Sequence, residues 1–284
     1  MKFDKSFFSE MFRVKKMIKP RKIKFSDKKA TKKYQIKDNG IVSTFLYAFT
    51  ITLPAGERLM IDTVRSLMDQ VEDKNLISDL RGFIGQEAHH AKAQAEVNKK
   101  MDAVGYRMSE YDEMSSGLLK SIEDRPTMER LAIHSAYEHL TAVFSAFTLK
   151  NIHLLDEMEK DVRDMLVWHC IEEIEHKTVL FDLYEYLSGD YVNRSKGMFR
   201  ALRSIVKNTA ILQKQLLKDQ QWKFSISEGV GAAKFFFGPN GIAIFSTMDL
   251  LRYFKKGFHP SAINDEYLIK DWEKRFSYLP VTEL

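Results

Sequence analysis

The sequence of 284 residues has few residues that cross-link a chain or interrupt regular structure. It contains one cysteine, six prolines and 13 glycines. The lone cysteine, Cys170, excludes an internal disulfide framework and fits a reducing cytoplasm. No uncharged apolar run reaches the about 18 residues that a membrane-spanning helix needs, so we predict no transmembrane segment. The first residues lack the continuous apolar core of a signal peptide, and we expect a cytoplasmic protein.

Positive charge is concentrated in the first 40 residues. This segment holds 14 Lys and Arg against 4 Asp and Glu, whereas the remainder holds 30 against 35. Such a basic arm could touch nucleic acid or anionic lipid. It shows no aromatic–basic interleaving and no known nucleic-acid module, so we expect no nucleic-acid partner. A solvated arm lying over the domain is the favoured interpretation, and peripheral membrane contact stays open.

Apolar residues recur at helical spacing along most of the chain and make up 44% of it, which predicts a large all-α fold. Pro54 should kink or restart the first long helix. The segment 105–126 looks polar and irregular and should form a long crossover. Helices are predicted at about 4–18, 42–72, 76–104, 127–152, 157–187, 193–220 and 240–256. We divide the chain into a basic N-terminal arm (1–40), a four-helix bundle (41–190) and a C-terminal helical extension packed on the bundle (191–284).

The segment Trp168–His176 carries the pattern H-x3-E-x2-H. On a helix, His169, Glu173 and His176 fall within one narrow arc. Two imidazoles beside a carboxylate on one face form a good ligand set for a transition metal. A second Glu-x-x-His motif, and one lone glutamate before each motif, complete the ligand set of ferritin-like di-iron or di-manganese bundles. These further residues are Glu57, Glu87, His90 and Glu138.

The spacing of the four glutamates can be tested against the predicted turns. Residues of two antiparallel helices lie at equal height when they are equally far from the connecting turn. Glu57 and Glu87 have their midpoint at residue 72, in a predicted turn, and Glu138 and Glu173 have theirs at the predicted break between residues 155 and 156. Each arm is then about 15–17 residues, or roughly 22–26 Å at 1.5 Å per residue. Both pairs are therefore predicted to lie level in the middle of a bundle.

Five motifs together have the pattern of a known family. They are Leu53-Pro54-Ala55-Gly56-Glu57, Gln86-Glu87-Ala88-His89-His90, Tyr137-Glu138-His139-Leu140-Thr141-Ala142, His169-Cys170-Ile171-Glu172-Glu173-Ile174-Glu175-His176-Lys177 and Gly257-Phe258-His259-Pro260. From about residue 20 onward the chain resembles the ferritin-like family of bacterial proteins named predicted metal-dependent hydrolases. The resemblance implies a di-metal carboxylate centre in a four-helix bundle.

The H-x3-E-x2-H triplet is also similar to that of di-iron arylamine N-oxygenases, in which an extra histidine binds the metal. This likeness implies His169 as a seventh ligand beside the six residues of the two motifs and lone glutamates. It also implies that Glu87 and Glu173 bridge the metals. The implied cofactor is two iron ions, with manganese or zinc as alternatives.

Two residues near the motifs have competing interpretations. Glu172 is a rival of Glu173, because Glu172 and His176 also lie one helical turn apart; otherwise Glu172 is a candidate for an outer hydrogen bond to a ligand. His134 lies one turn from Glu138, so it could form such a hydrogen bond or be an ordinary helix histidine.

Three functions are compatible with the predicted ligand set. The leading hypothesis is a di-iron enzyme that activates O2 and oxidises a small amine or aromatic substrate, with an external electron donor. The alternative is a metal-dependent hydrolase, in which two metals activate water. A further alternative is a non-catalytic iron-binding protein. A homodimer is compatible with the sequence but not indicated by it.

Overall fold

The structure, a computed structural model, describes residues 18–284 and confirms the predicted all-α class. The helix predicted at about 4–18 falls almost entirely outside the described residues. None of the described helices is both long and apolar enough to cross a bilayer. The helices are α1 (Gly40–Ile51), α2 (Leu53–Arg65), α3 (Lys74–Asp102), α4 (Met108–Glu123), α5 (Thr127–Lys150), α6 (Lys160–His176), α7 (Val179–Leu187), α8 (Tyr191–Asp219), α9 (Ile226–Phe237), α10 (Ile242–Arg252) and α11 (Trp272–Arg275).

Short polar side chains set the starts of several helices. Asn39 accepts a hydrogen bond from the backbone N–H of Val42 at the start of α1. Asp73 accepts hydrogen bonds from the backbone N–H groups of Asn75 and Leu76 at the start of α3. Asp190 accepts one from the backbone N–H of Val192 at the start of α8. Each cap satisfies a backbone donor that has no partner within its own helix, which fixes where the helix begins.

Helices α2, α3, α5 and α6 enclose the centre of the molecule. Helix α2 contacts α3 and α5, and α6 contacts the same two helices, so the four form a closed ring. Helix α4 lies against α2 and α3, and α7 lies against α3 and α5. All the glutamates and histidines singled out as metal ligands lie on the four enclosing helices.

The C-terminal helices cover one side of this ring. Helix α8 packs along α5 and α1, α10 packs on α5, and α9 packs on α1 and α10. The crossing of α8 and α5 is close, because a Cβ atom at Gly197 would collide with the backbone carbonyl of Ala132. Glycine is therefore required at Gly197 for this helix pair to approach so nearly.

The first and last described segments of the chain meet in a small sheet. Strand β1 (Arg21–Ile23) pairs antiparallel with β2 (Val281–Glu283), and Arg21 lies opposite Glu283. Pro20, directly before β1, lies on α3, because a Cβ atom at Gly85 would collide with its ring. This docking carries the Arg21 side chain into the interior, where it is 3% exposed. The strand pairing was not predicted from the sequence.

Several predicted boundaries need correction. The first long helix does restart at Pro54, since α1 ends at Ile51 and α2 begins at Leu53 with the proline in its first turn. The segment 157–187 forms two helices, α6 and α7, rather than one. Gly229 and Gly231 predict a break, but helix α9 runs through both of them.

The prediction of an irregular connector at 105–126 is wrong. Helix α4 occupies most of this segment, and its buried side chains recur at spacings of three and four residues. These residues are Met108, Tyr111, Ser115, Leu119 and Ile122. The many polar residues of the segment concealed this narrow apolar stripe, which is sufficient to bury one face of a helix.

Candidate metal centre

The enclosing helices bring the seven predicted ligands into one buried cluster. Each of these residues is at most 6% exposed. They come from α2 (Glu57), α3 (Glu87 and His90), α5 (Glu138) and α6 (His169, Glu173 and His176).

One half of the cluster is built around His169 and His90. The Nε2 atom of His169 lies 2.9 Å from Oε1 of Glu173 and 4.0 Å from Oε1 of Glu57. The Nδ1 atom of His90 lies 3.3 Å from Oε1 of Glu87 and 3.6 Å from Oε1 of Glu173. The two imidazole rings stack with their centres 4.1 Å apart. Glu57, His90 and His169 each offer a ligand atom within 4.8 Å of the others.

The other half is built around His176. Its Nε2 atom lies 3.1 Å from Oε2 of Glu138, 3.3 Å from Oε1 of Glu87 and 3.6 Å from Oε2 of Glu173. Glu87, Glu138 and His176 form a second set of ligand atoms within 4.8 Å of one another, and Glu87, His90 and Glu173 form a third. Glu87 and Glu173 thus face both halves.

Many of these buried ligand atoms make no well-aligned hydrogen bond among residues 18–284, although imidazole and carboxylate atoms lie as close as 3.1 Å. They are both carboxylate oxygens of Glu57, Glu87 and Glu138, Oε2 of Glu173, Nδ1 of His90 and Nε2 of His176. A buried polar atom without a partner destabilises a fold by about 1–3 kcal/mol, and native proteins contain few of them. Here they converge on the same small volume. Cations bound between these atoms would satisfy them together, so the residues present fit a pair of metal ions.

The electrostatics of the cluster also favour bound cations. Burial, together with the charge of Glu87, raises the pKa of Glu57 well above its usual value. Burial raises the pKa of Glu138 to about 8 although His176 opposes this. Burial alone would raise the pKa of Glu173 too, but His176 and His169 outweigh it and hold that pKa well below its usual value. Without metal, the cluster therefore keeps protons at neutral pH, and divalent cations would replace them.

A family comparison agrees with this geometry. Residues 19–264 match the family described as predicted metal-dependent hydrolase. The chain belongs to this predicted metal-dependent hydrolase family. Searches of curated proteins and of solved structures found no match.

In this member of the predicted metal-dependent hydrolase family, an outer layer of side chains orients His90. Its Nε2 atom lies 3.0 Å from Oε2 of Glu172, which leaves Nδ1 facing Glu87 and Glu173. Glu172 in turn accepts a hydrogen bond of 3.0 Å from the guanidinium of Arg21. Such a carboxylate behind a histidine fixes the ring and its tautomer. Glu172 therefore points away from the centre of the cluster, whereas Glu173 points into it.

His176 is oriented in a similar way by an amide. Its Nδ1 atom lies 3.0 Å from Oε1 of Gln86, so its Nε2 atom faces the carboxylates. The amide of Gln86 donates to the carbonyl of Lys19 and to Glu175, which holds its oxygen toward His176. Arg21 also donates to Glu175. The N-terminal segment therefore supports both histidines.

Sequence reasoning missed Arg21, Gln86 and Glu175. Gln86 and Glu175 directly precede Glu87 and His176, so their position beside the motifs was a signal that could have found them. Arg21 had no such signal, because it lies 151 residues from Glu172 in the chain.

Of the two interpretations of His134, the structure agrees with the ordinary helix histidine rather than with an outer hydrogen bond. Neither ring nitrogen of this buried residue has a hydrogen-bond partner among the described residues, and none is formed with Glu138. Burial lowers the pKa of His134 to about 3, so the ring is neutral. It packs as a helix histidine near Tyr137.

A largely apolar cavity of about 100 Å³ borders the His169 side of the cluster. Its wall includes His169 and Glu173 themselves, with Phe49, Phe144 and Phe147 among the apolar side chains. Gln94, Ser145 and Thr148 supply polar groups. Pockets of this kind, apolar with a few converging polar groups, are typical small-molecule sites. A substrate held there would lie against the metal ligands.

We expect Arg21→Met to weaken metal binding about 10–100-fold, because the carboxylate behind His90 would lose its charge partner. The affinity is measured by competition with a chromophoric chelator. Arg58→Met is the matched control, since Arg58 is half-exposed and, among the described residues, pairs with Asp112 far from the ligands' hydrogen-bond partners. Equal affinities for the two variants would show that Arg21 supports the fold without supporting the centre.

Proposed function

We propose that the chain is a hydrolase that binds two divalent metal ions and cleaves a small substrate with an apolar part. The observation that carries this proposal is the convergence of buried ligand atoms that lack other partners. Membership of the predicted metal-dependent hydrolase family supports the reaction class.

The ligand atoms divide naturally between two ions. Glu57, His90 and His169 would hold one ion, and Glu138 and His176 would hold the other. Glu87 and Glu173 would bridge the two, since each has oxygens near both halves of the cluster. When bound, such a pair of ions lowers the pKa of water and polarises the bond to be cleaved.

The chain's own residues would bind and orient the substrate. The phenylalanine side chains of the cavity wall would hold its apolar part and exclude bulk water. His169 and Glu173 border the same cavity, so the reacting group would lie beside them. Gln94 and Thr148 could hydrogen-bond a polar group of the substrate. Arg21 and Gln86 keep the metal-facing nitrogens of His90 and His176 aimed inward.

A second candidate is oxidation of the substrate by O2 at a di-iron centre. The observation that favours it is the donor set itself: four glutamates and two histidines on four helices match the ligands of di-iron carboxylate bundles, and His169 adds a third histidine. This function would require iron and an external electron donor.

Metal exchange separates the two candidates. The purified full chain is stripped with a chelator, reloaded with zinc, manganese or ferrous iron, and assayed for p-nitrophenyl ester hydrolysis and for O2 uptake with a reductant. We expect about two ions per chain and hydrolysis with zinc or manganese. O2 uptake confined to the iron form, without hydrolysis in any form, would favour the oxidase. Two bound ions with neither activity would indicate a non-catalytic metal-binding protein.

A further inference from the structure

Helices α9 and α10 expose apolar side chains to solvent. On α9 these are Ile226, Val230 and Phe237, which recur at helical spacing and so share one face. On α10 they are Ile244, Met248 and Leu251, which also share one face. Ile226 is 77%, Phe237 71% and Met248 63% exposed. Soluble proteins scatter such residues singly, whereas an ordered row on two adjacent helices indicates an interaction surface.

Helix α8 exposes a row of basic residues beside further apolar ones. It contains seven Lys and Arg, and its only acidic residue is the final Asp219. Its exposed face carries Val192, Phe199 and Val206. The basic residues of that face are Lys196, Arg203, Lys207, Lys214 and Lys218. A helix with this alternation is typical of segments that lie on anionic membranes.

The two surfaces adjoin. The ring of Phe199 on α8 lies 4.8 Å from that of Phe254, two residues after α10 ends. The hydroxyl of Tyr191 donates a hydrogen bond of 2.7 Å to the carbonyl of the same Phe254. The basic row of α8 and the apolar face of α10 therefore meet at Phe254.

We propose that the exposed faces of α8, α9 and α10 dock the protein on an anionic phospholipid membrane. The apolar side chains would enter the interface between headgroups and acyl chains, and the lysines and arginines would bind the lipid phosphates. A second copy of the chain fits this surface less well, because a two-fold contact through α8 would place like charges opposite each other. The opposite faces of α9 and α10 line the cavity, through Phe235 of α9 and Ile242 of α10. Docking would thus place the cavity beside the lipid.

Vesicle flotation with the full chain tests this proposal. We expect binding to vesicles of 30% phosphatidylglycerol in phosphatidylcholine, little binding to pure phosphatidylcholine, and release at 1 M NaCl. The triple variant Lys207→Gln, Lys214→Gln, Lys218→Gln should bind the anionic vesicles about 100-fold more weakly, at roughly fivefold for each charge. Phe237→Ser with Met248→Ser should lower binding at least about tenfold.

A matched control changes two exposed apolar residues elsewhere. Tyr267→Ser with Leu284→Ser alters side chains that are 51% and 68% exposed but lie outside α8–α10, and it should bind like the parent. Circular dichroism and metal content confirm that each variant is folded. Equal vesicle binding by all folded variants, or none by the parent, would overturn the proposal. A parent that forms a dimer which the Phe237 and Met248 changes dissociate would instead assign the surface to a second copy.

Discussion

Glu57→Gln should lower metal affinity more than 100-fold and at the same time stabilise the metal-free protein. The loss of affinity should exceed the 10–100-fold typical of outer hydrogen-bond partners, because Glu57 offers a ligand atom itself. The gain in stability arises because burial, together with the charge of Glu87, disfavours the ionised form of Glu57 in the folded state, whereas the unfolded chain ionises this group freely. An amide of the same shape removes that charge. The parent and the Glu57→Gln variant are compared by thermal unfolding, each with and without chelator.

The gain in stability should depend on pH in a defined direction. Because the pKa of Glu57 is raised in the folded state, the unfolded chain releases this proton first as the pH rises above about 4.5. The metal-free parent therefore loses about 1.4 kcal/mol per pH unit through this group until its folded pKa is reached. Glu57→Gln removes this term, so its advantage should be larger at pH 7 than at pH 5.

Asp62→Asn is the control for Glu57→Gln. It makes the same acid-to-amide change on α2 at a side chain that is 73% exposed. This variant should bind metal like the parent and show no pH-dependent gain in stability. A Glu57→Gln protein that retains both metal ions at parental affinity would contradict the assigned ligand set.

Ser145→Phe should greatly lower the turnover of an apolar substrate while leaving the metal centre intact. Ser145 is buried on α5 and lines the cavity, but it is not a candidate ligand. A phenyl ring there would fill space that the substrate needs. If the cavity holds the acyl chain, the parent should prefer p-nitrophenyl butyrate to the acetate by roughly fourfold per methylene, since each buried methylene contributes about 0.8 kcal/mol. In Ser145→Phe, kcat/KM for the butyrate should fall about 100-fold.

Ser145→Ala is the matched control, because it keeps the cavity open at the same position. Its kcat/KM for both esters should stay within about twofold of the parent. Metal analysis of both variants shows whether the centre is intact. Parental butyrate turnover in a folded, metal-loaded Ser145→Phe protein would place the substrate outside the cavity.

The helical spacing of the sequence was enough to predict the all-α class and most of the long helices. The predictions that failed relied on local composition. The polar residues of 105–126 concealed the apolar stripe of α4, and Gly229 and Gly231 suggested a break where α9 forms. In both segments, packing against neighbouring helices outweighs local propensity.

The spacing also predicted which glutamates should lie at the same height in neighbouring helices. The structure places Glu57, Glu87, Glu138 and Glu173 in one buried cluster, as expected for residues equally far from two turns. His169 lies in the same cluster, in keeping with the pattern H-x3-E-x2-H. The metal bound there and the reaction it supports stay predictions.

The sequence by itself determined the helical class and the set of acids and imidazoles that could meet, because both follow from periodicity along one chain. Only the tertiary structure decided what surrounds them. Arg21 reaches Glu172 because the N-terminal segment folds back over α3, and the cavity wall combines α1, α5 and α6 with the later α9 and α10. Such contacts join residues far apart in the chain. They depend on the shapes of packed surfaces, which no local pattern encodes.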